Sequence, residues 1–277
     1  MGLLILSIGI YSCNKEEIKN SNNLTYKSTN NSQEENTDFS KVNWGAVVGA
    51  DAAGGVVGFE MGAKVAAFTG QAWAVGVGAL AGAVGSSALA AHMPCYSCPG
   101  GVSGNQPNNF RPEITSEQFK DVGFLHNEML HKLYTTTSLI NSNGQISNVN
   151  QYLDFMSTEL QAMGSSTNLS GYTAILSNPE FRQKVNNYYA DVYSNGFNIT
   201  NTINNLEFEN QQFCTNFIFD FNANATNNIQ NTISLAEQKV SEINFNGNLS
   251  LKDKNMLLVY FITYRNSATF WERFVVE

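Results

Sequence analysis

The sequence predicts an all-α protein in which a Gly/Ala-rich helical hairpin is followed by a bundle of about six amphipathic helices. Two observations support this prediction. Apolar residues recur at steps of three and four along most of the chain after residue 113, and glycines recur four residues apart between Trp44 and Ala91. Both spacings place the repeated residues on one face of a helix.

By composition the 277 residues divide into five parts. These are an apolar leader at 1–12, a polar tether at 13–43, the hairpin at 44–92, a Cys/Pro/Gly loop at 93–112 and the bundle at 113–277. The chain is long enough to bury one sizeable core. Its net charge of −8 leaves no basic stripe for a phosphate backbone, so nucleic acid is not an expected partner.

The leader, MGLLILSIGIYS, carries no charged side chain. It is too short to cross a bilayer, which needs about 20 residues, but it suits a signal peptide. Ile10, Tyr11, Ser12 and Cys13 resemble the lipobox of bacterial lipoproteins, which implies that 1–12 is a signal peptide and that Cys13 carries the lipid. Tyr11 is bulkier than is usual there and no Lys or Arg precedes the apolar run, so we expect a misplaced start codon.

Lys15, Glu16 and Glu17 follow the cysteine and resemble the Lys-acidic-acidic export tag of Bacteroidota surface lipoproteins. The resemblance implies a lipid-anchored protein of the outer membrane that is displayed at the cell surface. A lipoprotein that faces the periplasm is the alternative. Residues 18–41 lack apolar periodicity, so the sequence predicts a flexible tether.

The hairpin is predicted from two series of small residues. They are Gly54, Gly58 and Gly62 in the first arm, and Ala74, Gly78, Gly82 and Ser86 in the second. Each series forms a smooth helix face that another backbone can approach closely. Thr69, Gly70 and Gln71 predict the turn between the arms.

Such a hairpin needs a packing partner, because each glycine inside a helix costs about 0.5–1 kcal/mol relative to alanine. The partner is either the rest of the protein or a membrane. Asp51, Glu60 and Lys64 each cost about 2.5–3.5 kcal/mol at a bilayer centre, although Glu60 and Lys64 can pair at i,i+4. We therefore expect a hairpin that packs in water, with membrane association as the alternative.

The Gly/Ala pattern resembles the glycine zippers of envelope lipoproteins and the membrane-active segments of some bacteriocins. The first resemblance implies close helix packing. The second implies a membrane-active antagonist in which the hairpin is the active part.

The four cysteines do not form a complete set of pairs once Cys13 is acylated. Cys95 and Cys98 lie in the Pro- and Gly-flanked loop HMPCYSCPGG, where we expect a small disulfide. A redox or zinc site that uses this pair with His92 is an alternative, but no fourth ligand lies nearby. Cys214 has aromatic neighbours and is predicted to be a buried thiol.

The remaining histidines occur in VGFLHNEMLHKL. His126 falls on the apolar face of the predicted helix and is expected to be a hydrogen-bonded core residue, whereas His131 lies about 140° away around the helix. The two therefore cannot share a metal as i,i+4 histidines do. The string resembles a VGxxHNxxL pattern of uncharacterised Bacteroidota lipoproteins, which implies no known chemistry.

Helix starts are predicted at Thr115 or Ser116, at Asn178 with Pro179, and at Ser250 with Asp253 as a capping box. The last helix should run from about Leu251 to Arg273, with one apolar stripe. Its members are Leu257, Tyr260, Tyr264, Ala268 and Trp271. The segment NFIFDFNAN could instead alternate as a strand.

No GxSxG, Walker or dinucleotide-binding motif occurs, and Glu207 and Glu209 would diverge on a helix at i,i+2. We therefore expect a non-enzymatic protein without metal or cofactor. The expected function is a surface-displayed envelope lipoprotein that binds a protein partner or assembles with itself. The alternatives are a membrane-active, bacteriocin-like antagonist and, third, a redox or metal protein.

Overall fold

The computed structural model describes residues 44–69, 74–91, 122–136, 138–141, 145–163, 174–225 and 229–272. These ranges contain nine bounded helices and no β-strand, which confirms the all-α prediction. The helices are α1 Trp44–Thr69, α2 Ala74–Ala91, α3 Val122–Thr136, α4 Val149–Met163, α5 Pro179–Asn195, α6 Ile199–Asn204, α7 Gln211–Asn224, α8 Ile229–Phe245 and α9 Leu251–Glu272.

Helix α9 is the centre of the bundle. It packs against α1, α3, α7 and α8, and every residue from 256 to 271 is buried. All five members of the predicted apolar stripe are buried, but the burial extends beyond that stripe. Polar residues of the other faces, such as Asn266 and Ser267, are buried as well, because neighbouring helices cover α9 on all sides.

The Gly-rich hairpin forms the other half of the core. Helix α1 makes its largest contact with α2 and its next largest with α9, and α2 also packs against α3. The side chains at the centre of both arms are buried, including Val56 and Leu80. Downstream helices therefore cover the hairpin, which supplies the packing that its many glycines require.

Asparagine side chains define the start of three successive helices. Asn178 accepts a hydrogen bond from the Phe181 N–H at 3.0 Å, which confirms the predicted cap with Pro179 at the first turn. Asn198 and Asn210 cap α6 and α7 in the same way. An asparagine side chain satisfies an N–H that has no partner within the helix, so part of the asparagine content has a structural role.

The predicted capping box at the start of α9 is half formed. Ser250 Oγ accepts from the Asp253 N–H at 3.1 Å. The Asp253 carboxylate does not complete the box, but accepts from the N–H groups of Glu209 and Asn210 at 2.8 and 2.9 Å. Asp253 thereby joins the start of α9 to the start of α7.

The alternation in NFIFDFNAN does not produce a strand. These residues belong to α7, whose buried side chains Cys214, Ile218 and Phe221 follow steps of four and three. The Phe221 ring packs edge-on against Phe261 of α9 at a centroid distance of 4.9 Å. Helical burial against α9 therefore overrides the apparent period of two.

The hairpin interface as the candidate functional site

The two arms of the hairpin meet through backbone atoms. A Cβ atom added at Gly58 would lie 2.6 Å from the carbonyl carbon of Gly78 and closer still to its oxygen. The reverse is also true, since a Cβ at Gly78 would lie 2.9 Å from the carbonyl carbon of Gly58. Real Cβ atoms essentially never come within 3.0 Å of such atoms, so only glycine permits this approach.

The same contact continues on both sides of this crossing. A Cβ at Gly82 would lie 2.9 Å from the Gly54 carbonyl carbon, and one at Gly54 would lie 2.7 Å from Cβ of Ser86. Toward the other end, the Gly62 nitrogen lies 2.9 Å from the position of a Cβ on Gly78. Six of the seven small residues in the two predicted series, all but Ala74, are therefore seen in one interface.

Three tyrosines hold α2 to the bundle through hydrogen bonds. Tyr152 of α4 and Tyr189 of α5 both donate to the carbonyl oxygen of Ala81, at 2.9 and 2.8 Å. Tyr188 shares a hydrogen bond of 3.0 Å with Ser86. A Cβ at Gly85 would collide with the Tyr189 hydroxyl, so this glycine makes room for the tyrosine.

With Tyr193, these residues form a tyrosine cluster (Tyr152, Tyr188, Tyr189 and Tyr193). Burial raises the pKa of Tyr188 and of Tyr193 to about 12, and it raises the pKa of Tyr152 and of Tyr189 well above the usual value. The Tyr193 hydroxyl accepts from the Ile146 N–H at 2.8 Å. All four hydroxyls therefore remain protonated through the neutral range and can donate.

A buried polar cluster joins α1, α3 and α9. Ser267 Oγ donates to Asp51 Oδ2, and His126 Nε2 lies 3.4 Å from the same oxygen. Asn127 donates its amide N–H to the Asn266 carbonyl at 3.0 Å, which turns its Oδ1 toward His126 Nδ1 at 2.9 Å. Because this oxygen can only accept, His126 Nδ1 carries a hydrogen and donates it.

This cluster combines serine, histidine and aspartate, but not in the order of a nucleophilic triad. In a triad the serine donates to the imidazole, which acts as the base. Here Ser267 donates to Asp51 instead. All three side chains are completely buried, so no substrate reaches the hydroxyl. The arrangement fastens α1 to α3 and α9, and it confirms that His126 is a core residue.

The two charged residues on the outer face of α1 contact the connection between α6 and α7. Lys64 Nζ lies 2.7 Å from Glu207 Oε1, and Glu60 accepts from the Glu207 N–H. Burial raises the pKa of Glu60, whereas the hydrogen bond from Lys64 lowers the pKa of Glu207. Glu207 belongs to the connection and not to a helix, and its side chain is exposed.

A small cavity of about 200 Å³ opens beside these charges. Its polar lining consists of Glu60, Lys64, Glu207 and Lys252, and its apolar lining comes from α1. Two positive and two negative side chains balance one another, so the cavity has no net charge that would select an anion or a cation.

Several residues singled out in the sequence lie outside the described residues. They are Cys13, Lys15, Glu16, Glu17, Cys95 and Cys98, together with the cap at Thr115 or Ser116.

The described part of the chain contains one cysteine and two histidines that the sequence singled out. Cys214 is a free thiol in the core, and burial raises its pKa to about 12. His131 is exposed on α3. In the described part of the chain, no three His, Cys, Asp or Glu side chains converge as a metal-binding group.

Sequence reasoning missed the tyrosine cluster and Ser267. Tyr189 is completely buried, and its neighbour Tyr188 is half-buried. The Tyr188-Tyr189 pair was a usable signal, because a buried tyrosine needs a hydrogen-bond partner for its hydroxyl. The burial of Ser267 could not be predicted, since a single serine in a long helix can lie on its buried or its exposed face.

The fold and the hairpin interface together define the structural class of the protein, which is an all-α bundle built around a glycine-packed hairpin. Comparison of the chain with protein-family models, with curated proteins and with solved structures gave no match. Among the helices that the structure describes, none has both the length and the hydropathy needed to cross a membrane.

Proposed function

We propose that the chain is a non-enzymatic lipoprotein of the cell envelope, anchored in the outer membrane through Cys13 and displayed at the cell surface. In this proposal the helical bundle binds a protein partner or assembles with itself. The observation that supports it best is the position of the Gly-rich hairpin, whose two arms are core elements of the bundle. A hairpin in that position serves to build a stable module at the end of a tether.

The packing disfavours the rival function of a membrane-active antagonist. To enter a bilayer, the hairpin would have to break its hydrogen bonds with Tyr152 and Tyr189. The hydrogen bond between Asp51 and Ser267 would also have to break. Leaving a buried hydrogen-bonding group without its partner alone costs about 1–3 kcal/mol. Glycine and alanine gain little from lipid in return, so the folded bundle is the better environment for both arms.

The buried polar cluster supports the non-enzymatic part of the proposal. It is the arrangement in the described residues that most resembles catalytic chemistry, and its serine faces a carboxylate in the closed interior. A hydrolase would need that serine open to substrate and next to a base.

Metabolic labelling with a fatty acid tests the anchor. Cells that express the wild-type chain should incorporate label, and a Cys13→Ser variant should lose it, because the lipid bond requires the thiol. Equal label in both chains would overturn the lipoprotein proposal.

Protease treatment of intact cells tests surface display. The wild type should be digested, whereas a variant with alanine at Lys15, Glu16 and Glu17 should be protected, because it lacks the export tag. Western blotting of a periplasmic marker controls for cell lysis. If both chains are protected, the protein faces the periplasm.

Release of a dye from liposomes separates the proposal from its rival. Purified protein with Cys13→Ser should leave liposomes intact. Dye release at sub-micromolar protein that a Gly58→Leu substitution abolishes would favour the antagonist.

A further inference from the structure

The large apolar side chains that remain exposed in the described residues lie at one end of the bundle. Phe245, at the end of α8, is 88% exposed, and Leu251, at the start of α9, is 69% exposed. The third is Phe213 in the first turn of α7, at 38%. The chain between Phe245 and Leu251 is a short turn, and nothing lies within 4 Å of a Cβ placed on its Gly247.

Contacts between the helices show that these residues share that end. Lys254 Nζ donates to the Asn244 carbonyl at 3.2 Å, which joins the start of α9 to the end of α8. Asp253 accepts from the N–H groups of Glu209 and Asn210, just before Phe213. We name the protruding part, Phe245 to Leu251, the apolar tip.

The apolar tip is too small for a stable interface with a second copy. A large aromatic side chain buries roughly 150–250 Å². Even with Phe213 included, the exposed parts stay below the roughly 800 Å² that each partner buries in a specific protein complex. A lipid surface is different, because it needs no complementary pocket, and two apolar side chains on a turn can enter it.

The charges around the apolar tip suit a headgroup region. Lys252 and Lys254 directly follow Leu251 in the first turn of α9. The carboxylate between them, Asp253, is buried and accepts hydrogen bonds from the start of α7. The N-terminus of α9 also carries partial positive charge, and the exposed Glu209 on the neighbouring connection adds a negative one, so this end offers both signs of charge to zwitterionic headgroups.

We propose that the apolar tip contacts the lipid bilayer in which the chain is anchored, with Phe245 and Leu251 at the level of the headgroups. The inference rests on the proposed lipid anchor at Cys13. An anchored protein needs only weak affinity for this contact, because the anchor holds it at high effective concentration near the membrane.

The chain length permits this contact. Helices α1 and α9 run in opposite directions, since Asp51 meets Ser267 while Glu60 shares a cavity with Lys252. Trp44 therefore lies at the end of the bundle away from the apolar tip, about 33 Å along α9 at 1.5 Å per residue. The segment 14–43 precedes it, and a chain of about 30 residues can reach roughly 100 Å.

Quenching of tryptophan fluorescence by brominated lipid tests the contact. The lipidated full-length protein is placed in vesicles of phosphatidylethanolamine and phosphatidylglycerol, with Phe245→Trp as the probe. Ser194→Trp is the matched control, because Ser194 is exposed at the end of α5 and lies near Ile199, which contacts Gly49 at the start of α1. The signal of the three natural tryptophans is subtracted in both variants.

We expect at least twofold more quenching at position 245 than at position 194, and a reduction when Leu251→Ser is added to Phe245→Trp. Equal quenching at 245 and 194 would overturn the inference while leaving the anchor intact. Dimers in sedimentation that Phe245→Ser abolishes would overturn it in favour of a second copy. Failure of the lipid anchor has a different signature: the wild-type chain would then carry no fatty-acid label and would not bind vesicles.

Discussion

Substitution of Gly58 by alanine should destabilise the protein far more than the same substitution at Gly55. Both glycines lie in α1 and both gain helix propensity from alanine, about 0.5–1 kcal/mol. They differ in what the new methyl group meets. At Gly58 it meets the Gly78 carbonyl carbon at 2.6 Å, whereas at Gly55 its nearest neighbour is Thr263 Oγ1 at 3.3 Å.

The magnitude follows from this geometry. Ordinary contacts begin at 3.4 Å, so the arms must separate by at least 3.4 − 2.6 = 0.8 Å at Gly58. A gap of 0.5–1 Å forfeits about a quarter to a half of the dispersion energy across an interface. Overpacking of this kind costs about 1–3 kcal/mol. Because the propensity gain is the same at both positions, we expect Gly58→Ala to be about 1–3 kcal/mol less stable than Gly55→Ala, which itself stays within about 1 kcal/mol of the parent.

Urea denaturation followed by far-ultraviolet circular dichroism measures the difference. The full-length chain with Cys13→Ser is the parent, so that lipid does not contribute. The slope of unfolding free energy against urea should stay constant, which shows that the same surface is exposed in each variant. If Gly58→Ala is as stable as Gly55→Ala, the two arms do not make the backbone contact described here.

Two further predictions concern the polar groups that hold the hairpin. Since burial raises the pKa of Tyr188 and Tyr193 from 10 to about 12, their contribution to stability should be complete below pH 10 and should fall as the pH rises from 10 to 12. A free energy of unfolding that stays constant between pH 10 and 12 would contradict this. Asp51→Ala should cost about 1–3 kcal/mol because it leaves the buried Ser267 hydroxyl without its acceptor. The double variant Asp51→Ala/Ser267→Ala should lose less free energy of unfolding than the sum of the losses in the two single variants. Additive losses in this double-mutant cycle would show that the two residues do not interact.

The glycine interface was predictable because its signal is local. Gly54, Gly58 and Gly62 stand one turn apart, and so do Gly78, Gly82 and Ser86, so spacing alone places each set on one helix face. A helix face made only of small residues is typical of close packing against another backbone. The caps at Asn178 and Ser250 were predictable for the same reason, since a cap acts on residues two or three positions away.

The environment of α9 could not be read from its sequence. Its composition suggests an amphipathic helix, and its burial on all sides depends on α1, α3, α7 and α8 arriving from distant parts of the chain. Asp51 and Ser267 are 216 positions apart, and Tyr152 and Ala81 are 71 apart. A single hydrogen bond between such positions leaves no periodic trace in either segment.

The sequence alone determined that the fold is all-α and which two helix faces must come close together, because both depend on repeated spacing within one segment. The tertiary structure decided what surrounds them. It placed the hairpin inside the bundle, directed Ser267 to Asp51 instead of to His126, and turned Asp253 away from its own helix toward α7. The physical reason is that a buried polar group must find a partner, and the chain can supply that partner from any distance along the sequence.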